Sequence, residues 1–288
     1  MTSSPPARRF DWDNLGVRVV SAVVLVPVAL AAIWFGGWAF LLMLAIGIAL
    51  LSIEWGGMTA AKAPVRIAAV VMVSVLAATF ASYRGEVWIG WYGWAWASVV
   101  IGAAAAAFVA RNVAEHPINA AYGVIYLAPA CIALVWLRQN GFNEAGGNEK
   151  GISWTFLVFA VAWAADIAAY VVGSTLKGPK LWPRFSPNKT WSGFIGGLVA
   201  AMLTAWAVTT FSRATLPMAS GLLAGFFGGL ATMAGDLWES MLKRRFGVKD
   251  SGDLIPGHGG LLDRVDGLLF CIMVIAVARL AAHEGWVF

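Results

Sequence analysis

The feature that most constrains this chain is a succession of nine mostly apolar runs separated by polar segments. They fall at residues 17–35, 38–53, 67–82, 87–110, 118–137, 152–172, 194–211, 216–237 and 261–282. A helix needs about 20 apolar residues to cross a bilayer core. Inside lipid its backbone must be satisfied within the segment itself, so such runs read as spanning helices. The predicted fold class is all-α, a polytopic integral membrane protein with about nine transmembrane helices. The runs at 38–53 and 67–82 are short, which leaves the number at eight or nine. Composition agrees, with 60% hydrophobic and only 12% charged residues, where an ordinary soluble domain carries about 25% charged. That excludes a water-soluble enzyme, and disorder as well, which needs low hydrophobicity. Cys131 and Cys271 lie inside apolar runs without metal-binding spacing and read as buried hydrophobes. The first run follows Arg8 and Arg9 and leads straight into further spans, as a retained signal anchor would.

Orientation follows from the cations. With the amino terminus cytoplasmic and sides alternating, one side collects Arg8, Arg9, Arg18, Lys62, Arg66, Arg111, Lys177, Lys180, Arg184, Lys189, Lys243, Arg244, Arg245, Lys249 and Arg264. The other receives Arg84, Arg138, Lys150, Arg213 and Arg279. This asymmetry predicts nine spans with the amino terminus inside. The net charge of +5 then belongs to cytoplasmic loops facing lipid headgroups, not to a nucleic-acid surface. The expected location is the cytoplasmic (inner) membrane. The chain divides into two regions. Residues 1–150 carry short, chemically plain loops and read as scaffold and anchor. Residues 151–288 concentrate polar groups into two cytoplasmic loops and the helices beside them.

The first polar segment spans residues 163–197. Asp166 lies inside an apolar run, where an ionisable group is costly and marks a functional site or a buried partner. The loop beyond it interleaves Lys177, Lys180, Arg184 and Lys189 with Pro179, Pro183 and Pro187, which keep it from becoming helical. Ser186, Asn188, Lys189 and Thr190 then offer donors just before the next span, a combination suited to phosphate near a helix start. Contact with anionic headgroups would explain the cations alone equally well.

The second segment, residues 235–267, is denser. Helical spacing puts Asp236, Glu239, Ser240 and Lys243 on one face. A glycine-punctuated loop follows with Lys249, Asp250, Asp253 and His258. The last span opens with Asp263, Arg264 and Asp266, the two aspartates one turn apart. Asp236 and Asp263 fall at similar depth, and Asp166 can approach from the same side. Carboxylates gathered among so many cations imply that the carboxylates hold cations and the bases hold anions. An oxygen-only donor set favours Mg²⁺ shared with a substrate phosphate. His258, between glycines, sits where backbone curls around an anion; it orders the loop, contacts phosphate or carries a proton.

These residues resemble a known family. Ser240-Met241-Leu242-Lys243-Arg244, then Lys249-Asp250, Pro256-Gly257-His258-Gly259-Gly260 and Asp263-Arg264-Val265-Asp266 are similar to the signature of phosphatidate cytidylyltransferases, the CDP-diacylglycerol synthases. Gly235-Asp236-Leu237 and Glu239-Ser240 fit as well. Lys180-Leu181, Pro183, Ser186-Pro187 and Lys189-Thr190-Trp191 resemble a second stretch, with Ser192 where the family has Glu. Asp166, Ala169-Tyr170 and Gly173 resemble a third. The resemblance covers about a third of the chain. It implies the reaction of CTP with phosphatidic acid to CDP-diacylglycerol and pyrophosphate, dependent on Mg²⁺, with a second cation of open identity. It implies Asp236 and Asp263 as the metal pair. Lys243, Arg244, Lys249 and Arg264 would offset phosphate charge, with Ser240 and Ser186 as hydrogen-bond donors. Asp166 and Asp266 would be further candidates for metal binding or orientation. The expected partners are CTP, phosphatidic acid and the bilayer, with no nucleic acid and with a homo-oligomer left open. An ion-coupled transporter is the main alternative, though its polar residues would line a midplane site. A CDP-alcohol phosphotransferase would need a D-G-x-x-A-R opening, and Leu268-Leu269-Phe270-Cys271 follows Asp266-Gly267 instead.

Overall fold

The computed structural model describes residues 12–88, 93–139, 147–183, 186–212, 214, 216–254 and 259–285. Among the described residues the chain forms nine helices: α1 (Trp12–Phe35), α2 (Gly37–Thr59), α3 (Pro64–Trp88), α4 (Gly93–Ala110), α5 (Ile118–Gln139), α6 (Gly147–Leu176), α7 (Trp191–Phe211), α8 (Met218–Arg245) and α9 (Leu262–His283). Eight of them, α2 to α9, are long and apolar enough to cross a membrane. Each of the nine apolar runs has become a helix, and the two short ones lengthen to 23 and 25 residues.

The proline-bearing segment after α6 departs from the open loop expected of it. It forms an antiparallel ribbon, β1 (Lys180–Trp182) paired with β2 (Ser186–Thr190). Prolines forbid helix there, but they tolerate extended backbone at an edge. The chain leaves α6 through Lys177 (φ 57°) and Gly178 (φ 106°), a left-handed exit of the kind that ends helices. The ribbon closes onto α7, where the Trp191 amide donates to the Pro179 carbonyl at 3.1 Å.

Packing follows membrane logic rather than that of a soluble core. The buried positions of α7 are Gly193, Gly197, Ala201, Ala205 and Thr209, one small residue per turn. Its large side chains, Ile195, Val199 and Leu203, face outward. Small residues let backbones approach where lipid offers no hydrophobic drive between helices. A methyl group on Gly193 would stand 2.6 Å from the Ala169 carbonyl of α6, and one on Gly225 of α8 would stand 2.6 Å from the Ala201 carbonyl. The central post is α5, buried along almost its whole length and touching α2, α3, α4, α6 and α9.

The cations separate along the bundle. Lys62, Arg66, Arg111, Lys177, Lys180, Lys189, Lys243, Arg244, Arg245, Lys249 and Arg264 fall at one end, where α2, α4, α6 and α8 finish. At the other end Arg138 and Arg279 are buried rather than exposed in loops. Arg138 donates to the carbonyls of Ile33 (2.7 Å) and Trp34 (3.2 Å). It thereby satisfies acceptors that the C-terminus of α1 leaves open.

Candidate active site

The site is built at the cation-rich end, where antiparallel α8 and α9 meet at two glycines. A methyl group on Gly235 would lie 2.5 Å from the Asp266 carbonyl oxygen and 2.9 Å from Gly267 Cα. One on Gly267 would lie 2.7 Å from the Thr232 carbonyl oxygen. This contact fixes the register of the two helices, since each step up α8 is matched by a step down α9. Asp236 therefore stands beside Asp266, and the Glu239 level of α8 faces Asp263 one turn nearer the bundle end.

Two lysines are threaded through these carboxylates. Lys189, from β2, pairs with Asp236. Lys243, at the end of α8, pairs with Asp263 across the helix interface and with Glu239 on its own helix at 2.8 Å. Glu239 is buried, and its second oxygen finds no hydrogen-bond partner among the described residues. Asp266, also buried, accepts from its neighbour's amide, Gly267 N–H, at 2.6 Å. Asp236 and Glu239 lie within its electrostatic reach, and so does Asp166 from α6. Asp166 in turn feels Asp236, Lys189 and Arg264. The arrangement is a row of carboxylates interleaved with ammonium groups, at the mouth of an apolar bundle where low dielectric strengthens each interaction.

The chain matches the cytidylyltransferase family over residues 16–281. A phosphatidate cytidylyltransferase of Brucella suis is 36% identical over 278 residues, covering 89% of this chain and 90% of its own. One of Haemophilus influenzae is 34% identical over 275 residues, covering 87% of this chain and 93% of its own. One of Bacillus subtilis reaches 44% identity over 123 residues, which is 43% of this chain and 46% of that protein. The chain belongs to the cytidylyltransferase family.

Among the residues that the family signature singles out, the structure brings Asp166, Lys189, Asp236, Lys243, Asp263, Arg264 and Asp266 to one place. Asp236 and Asp263 are not side by side there. The α8–α9 register sets them about one helical turn apart, roughly 4.5 Å along the axis for three residues. Thr190 serves as N-cap of α7, its Oγ1 accepting from the Gly193 amide at 3.2 Å and lying 3.0 Å from Ser192 Oγ. Ser192, in the first turn of α7, donates to the Lys177 carbonyl and ties the start of α7 to the end of α6. Ser186 lies in β2 opposite Trp182, and Ser240 is half-buried on α8. Arg244, Lys249 and Asp250 are exposed, Arg244 turning back to the Val248 carbonyl at 3.5 Å. His258 lies outside the described residues.

One residue of the site comes from the region read as scaffold. Glu54 of α2 is 3% exposed. Its two oxygens accept from the amides of Leu261 (2.6 Å) and Leu262 (2.7 Å) at the start of α9. Ser251 Oγ stands 3.4 Å from Glu54 and 2.8 Å from Asp263, and the Ser251 amide donates to Asp263 at 3.2 Å. The signal was present in the sequence, because Glu54 is an ionisable residue near the end of an apolar run. Its partner lies about two hundred positions away, and no local pattern points there.

Among the described residues no three His, Cys, Asp or Glu side chains converge into a complete protein metal cage. A hard cation bound by one or two carboxylates with substrate phosphates needs no such cage.

Proposed function

We infer that this protein transfers the cytidylyl group of CTP to phosphatidic acid, giving CDP-diacylglycerol and pyrophosphate. The observation that carries the reading is the row of interleaved carboxylates and lysines, at one end of a membrane bundle whose full-length relatives are phosphatidate cytidylyltransferases. The lipid phosphate oxygen attacks the α-phosphorus of CTP as pyrophosphate departs, a transfer governed by positioning and charge neutralisation. No covalent enzyme intermediate is called for.

The proposed assignments follow the geometry. Asp236 and Asp263 are the carboxylates for Mg²⁺, and the donor chemistry suits it. Both present oxygen alone, and both already hold a cation, the ammonium of Lys189 and of Lys243 respectively. Mg²⁺, when bound, neutralises phosphate charge and orients the reacting groups. Lys189 and Lys243, which stand against those carboxylates, would meet the phosphate oxygens held there. Arg264 adds charge beside them, with Arg244 and Lys249 at the exposed margin. Ser186 and Ser240 offer hydroxyls, Asp250 lies in the exposed segment after α8, and Thr190 holds the start of α7 beneath Lys189. Asp166 and Asp266 orient the row from within the bundle.

The protein is a multi-pass membrane protein. The cation-rich end is proposed to face the cytoplasm of a bacterial inner membrane, on the usual preference of Lys and Arg for that side, which is where CTP is found.

The test uses purified protein in detergent with phosphatidic acid, Mg²⁺ and CTP labelled at the α-phosphate. Label should move into the lipid phase, stop with EDTA, and be lost in Asp236→Asn and in Asp263→Ala. Folded protein that transfers no label with any acyl chain would refute the reaction. Full activity in either variant would remove the metal assignment.

A further inference from the structure

The start of α9 lacks a cap of its own. Leu261 stands at the N-cap position in helical geometry (φ −67°, ψ −37°) and supplies no side-chain hydrogen bond. The first amides of a helix need acceptors, and a negative charge is favourable there. Both needs are met by one carboxylate from a different part of the chain, since Glu54 takes the Leu261 and Leu262 amides on separate oxygens. Residues 251–252 close on the same group from the other side. A methyl group on Gly252 would sit 3.2 Å from Glu54 Cγ, so backbone packs directly against the side chain, and Ser251 Oγ lies between Glu54 and Asp263.

Glu54 is itself rigidly seated. Trp55, fully buried, stacks on Tyr126 with ring centroids 5.6 Å apart and meets Phe246 edge-on at 5.8 Å. Its indole N–H donates to the Asn119 carbonyl at 2.9 Å. The end of α2 is thereby locked to α5 and to the end of α8. Glu54 stands on that locked surface and meets both residues 251–252 and the start of α9.

Resting on the reading above, we propose that Glu54 is a positioning residue for cytidylyl transfer. It holds the first turn of α9, with the Gly252 backbone packed against it, so that Asp263 meets Lys243, and so makes the amino-terminal helices part of the catalytic apparatus. Both Glu54 oxygens are taken up by the Leu261 and Leu262 amides, so the residue acts through α9. Ser251 has one hydroxyl proton and gives it to the nearer acceptor, Asp263, so Ser251 orients Asp263 while the Leu261 and Leu262 amides hold Glu54.

The experiment compares wild type with Glu54→Gln and Glu54→Ala, reading label transfer from CTP, the Mg²⁺ concentration for half-maximal rate, thermal unfolding in detergent, and hydrogen exchange by peptide. Residues that orient a ligand without touching the reaction commonly contribute 10–100-fold. Turnover in Glu54→Ala should therefore fall by about 10–100-fold with a raised Mg²⁺ requirement. Glu54→Gln, which keeps an acceptor, should lie between it and wild type. Peptides covering 246–262 should exchange faster in both variants while α5 and α6 peptides stay as protected as before. Wild-type turnover and exchange in Glu54→Gln and Glu54→Ala would overturn the proposal. So would loss of protection throughout the bundle in Glu54→Gln, which would mark Glu54 as a fold residue only. If wild type itself transferred no label, the reaction assignment would fail, and the exchange at 246–262 would still decide whether Glu54 holds the loop.

Discussion

Replacing Gly235 by alanine separates two opposed physical effects. Helix propensity alone favours the change, since alanine in a helix interior is worth about 1 kcal/mol over glycine. The α8–α9 crossing opposes it. The new methyl would stand 2.5 Å from the Asp266 carbonyl oxygen, 2.9 Å from Gly267 Cα and 3.1 Å from the Asp266 carbonyl carbon. Optimal carbon contacts lie near 3.5–4.0 Å, so α9 must withdraw by roughly 1 Å. All three obstacles are backbone and cannot rotate away. Overpacking of this kind costs about 1–3 kcal/mol, which offsets the propensity gain and leaves a net loss of up to about 2 kcal/mol. The larger consequence is positional, because the same 1 Å parts Asp236 from Asp266 and Lys243 from Asp263. A displacement of that size in a positioned site costs on the order of 10²-fold in rate. Gly235→Ala should therefore show about a hundredfold lower transfer of label from CTP to lipid, with only a modest fall in the unfolding temperature. Gly47→Ala is the control, since nothing lies within 4 Å of a methyl group there; it should keep full activity and at least wild-type stability. Normal turnover in Gly235→Ala would refute the argument that the glycine crossing sets the site.

Lys243→Met leaves Glu239 and Asp263 facing one another without their shared cation. The side chains of Lys243 and Glu239 are 13% and 1% exposed, so the loss should approach the 3–5 kcal/mol of a broken buried pair, read as a lowered unfolding temperature together with lost turnover. The Lys189–Asp236 pair is more open, at 27% and 33% exposure. Lys189→Ala should therefore change stability by no more than about 1 kcal/mol while reducing turnover, and unchanged turnover would remove Lys189 from the phosphate-binding set. Thr190→Ala removes the N-cap of α7 and should cost about 1 kcal/mol of stability, measured by thermal unfolding; a variant as stable as wild type would show that Ser192 caps in its place.

Most of the architecture was legible along the chain. The nine apolar runs became helices at the expected places because in a bilayer a long apolar segment has no other way to satisfy its backbone. The candidate site residues could be picked out along the chain too, since charges inside apolar spans are costly. The ribbon at 180–190 was less so. Pro179, Pro183 and Pro187 forbid helix, but pairing of β1 with β2 depends on closure against α7. Glu54 was harder still, because its meaning lies in amides at Leu261 and Leu262 that no local pattern connects to it.

Sequence alone determined the class of protein, its spans, its separation of charge and the chemical types available at one end. Tertiary structure decided which of those groups meet. Gly235 and Gly267 bring two backbones into contact, and that contact sets Asp236 beside Asp266 and Asp263 beside Lys243. The physical reason is that a membrane helix is specified locally by apolarity and length. The register between two helices depends instead on how closely small residues allow their backbones to approach, and that is a property of the pair.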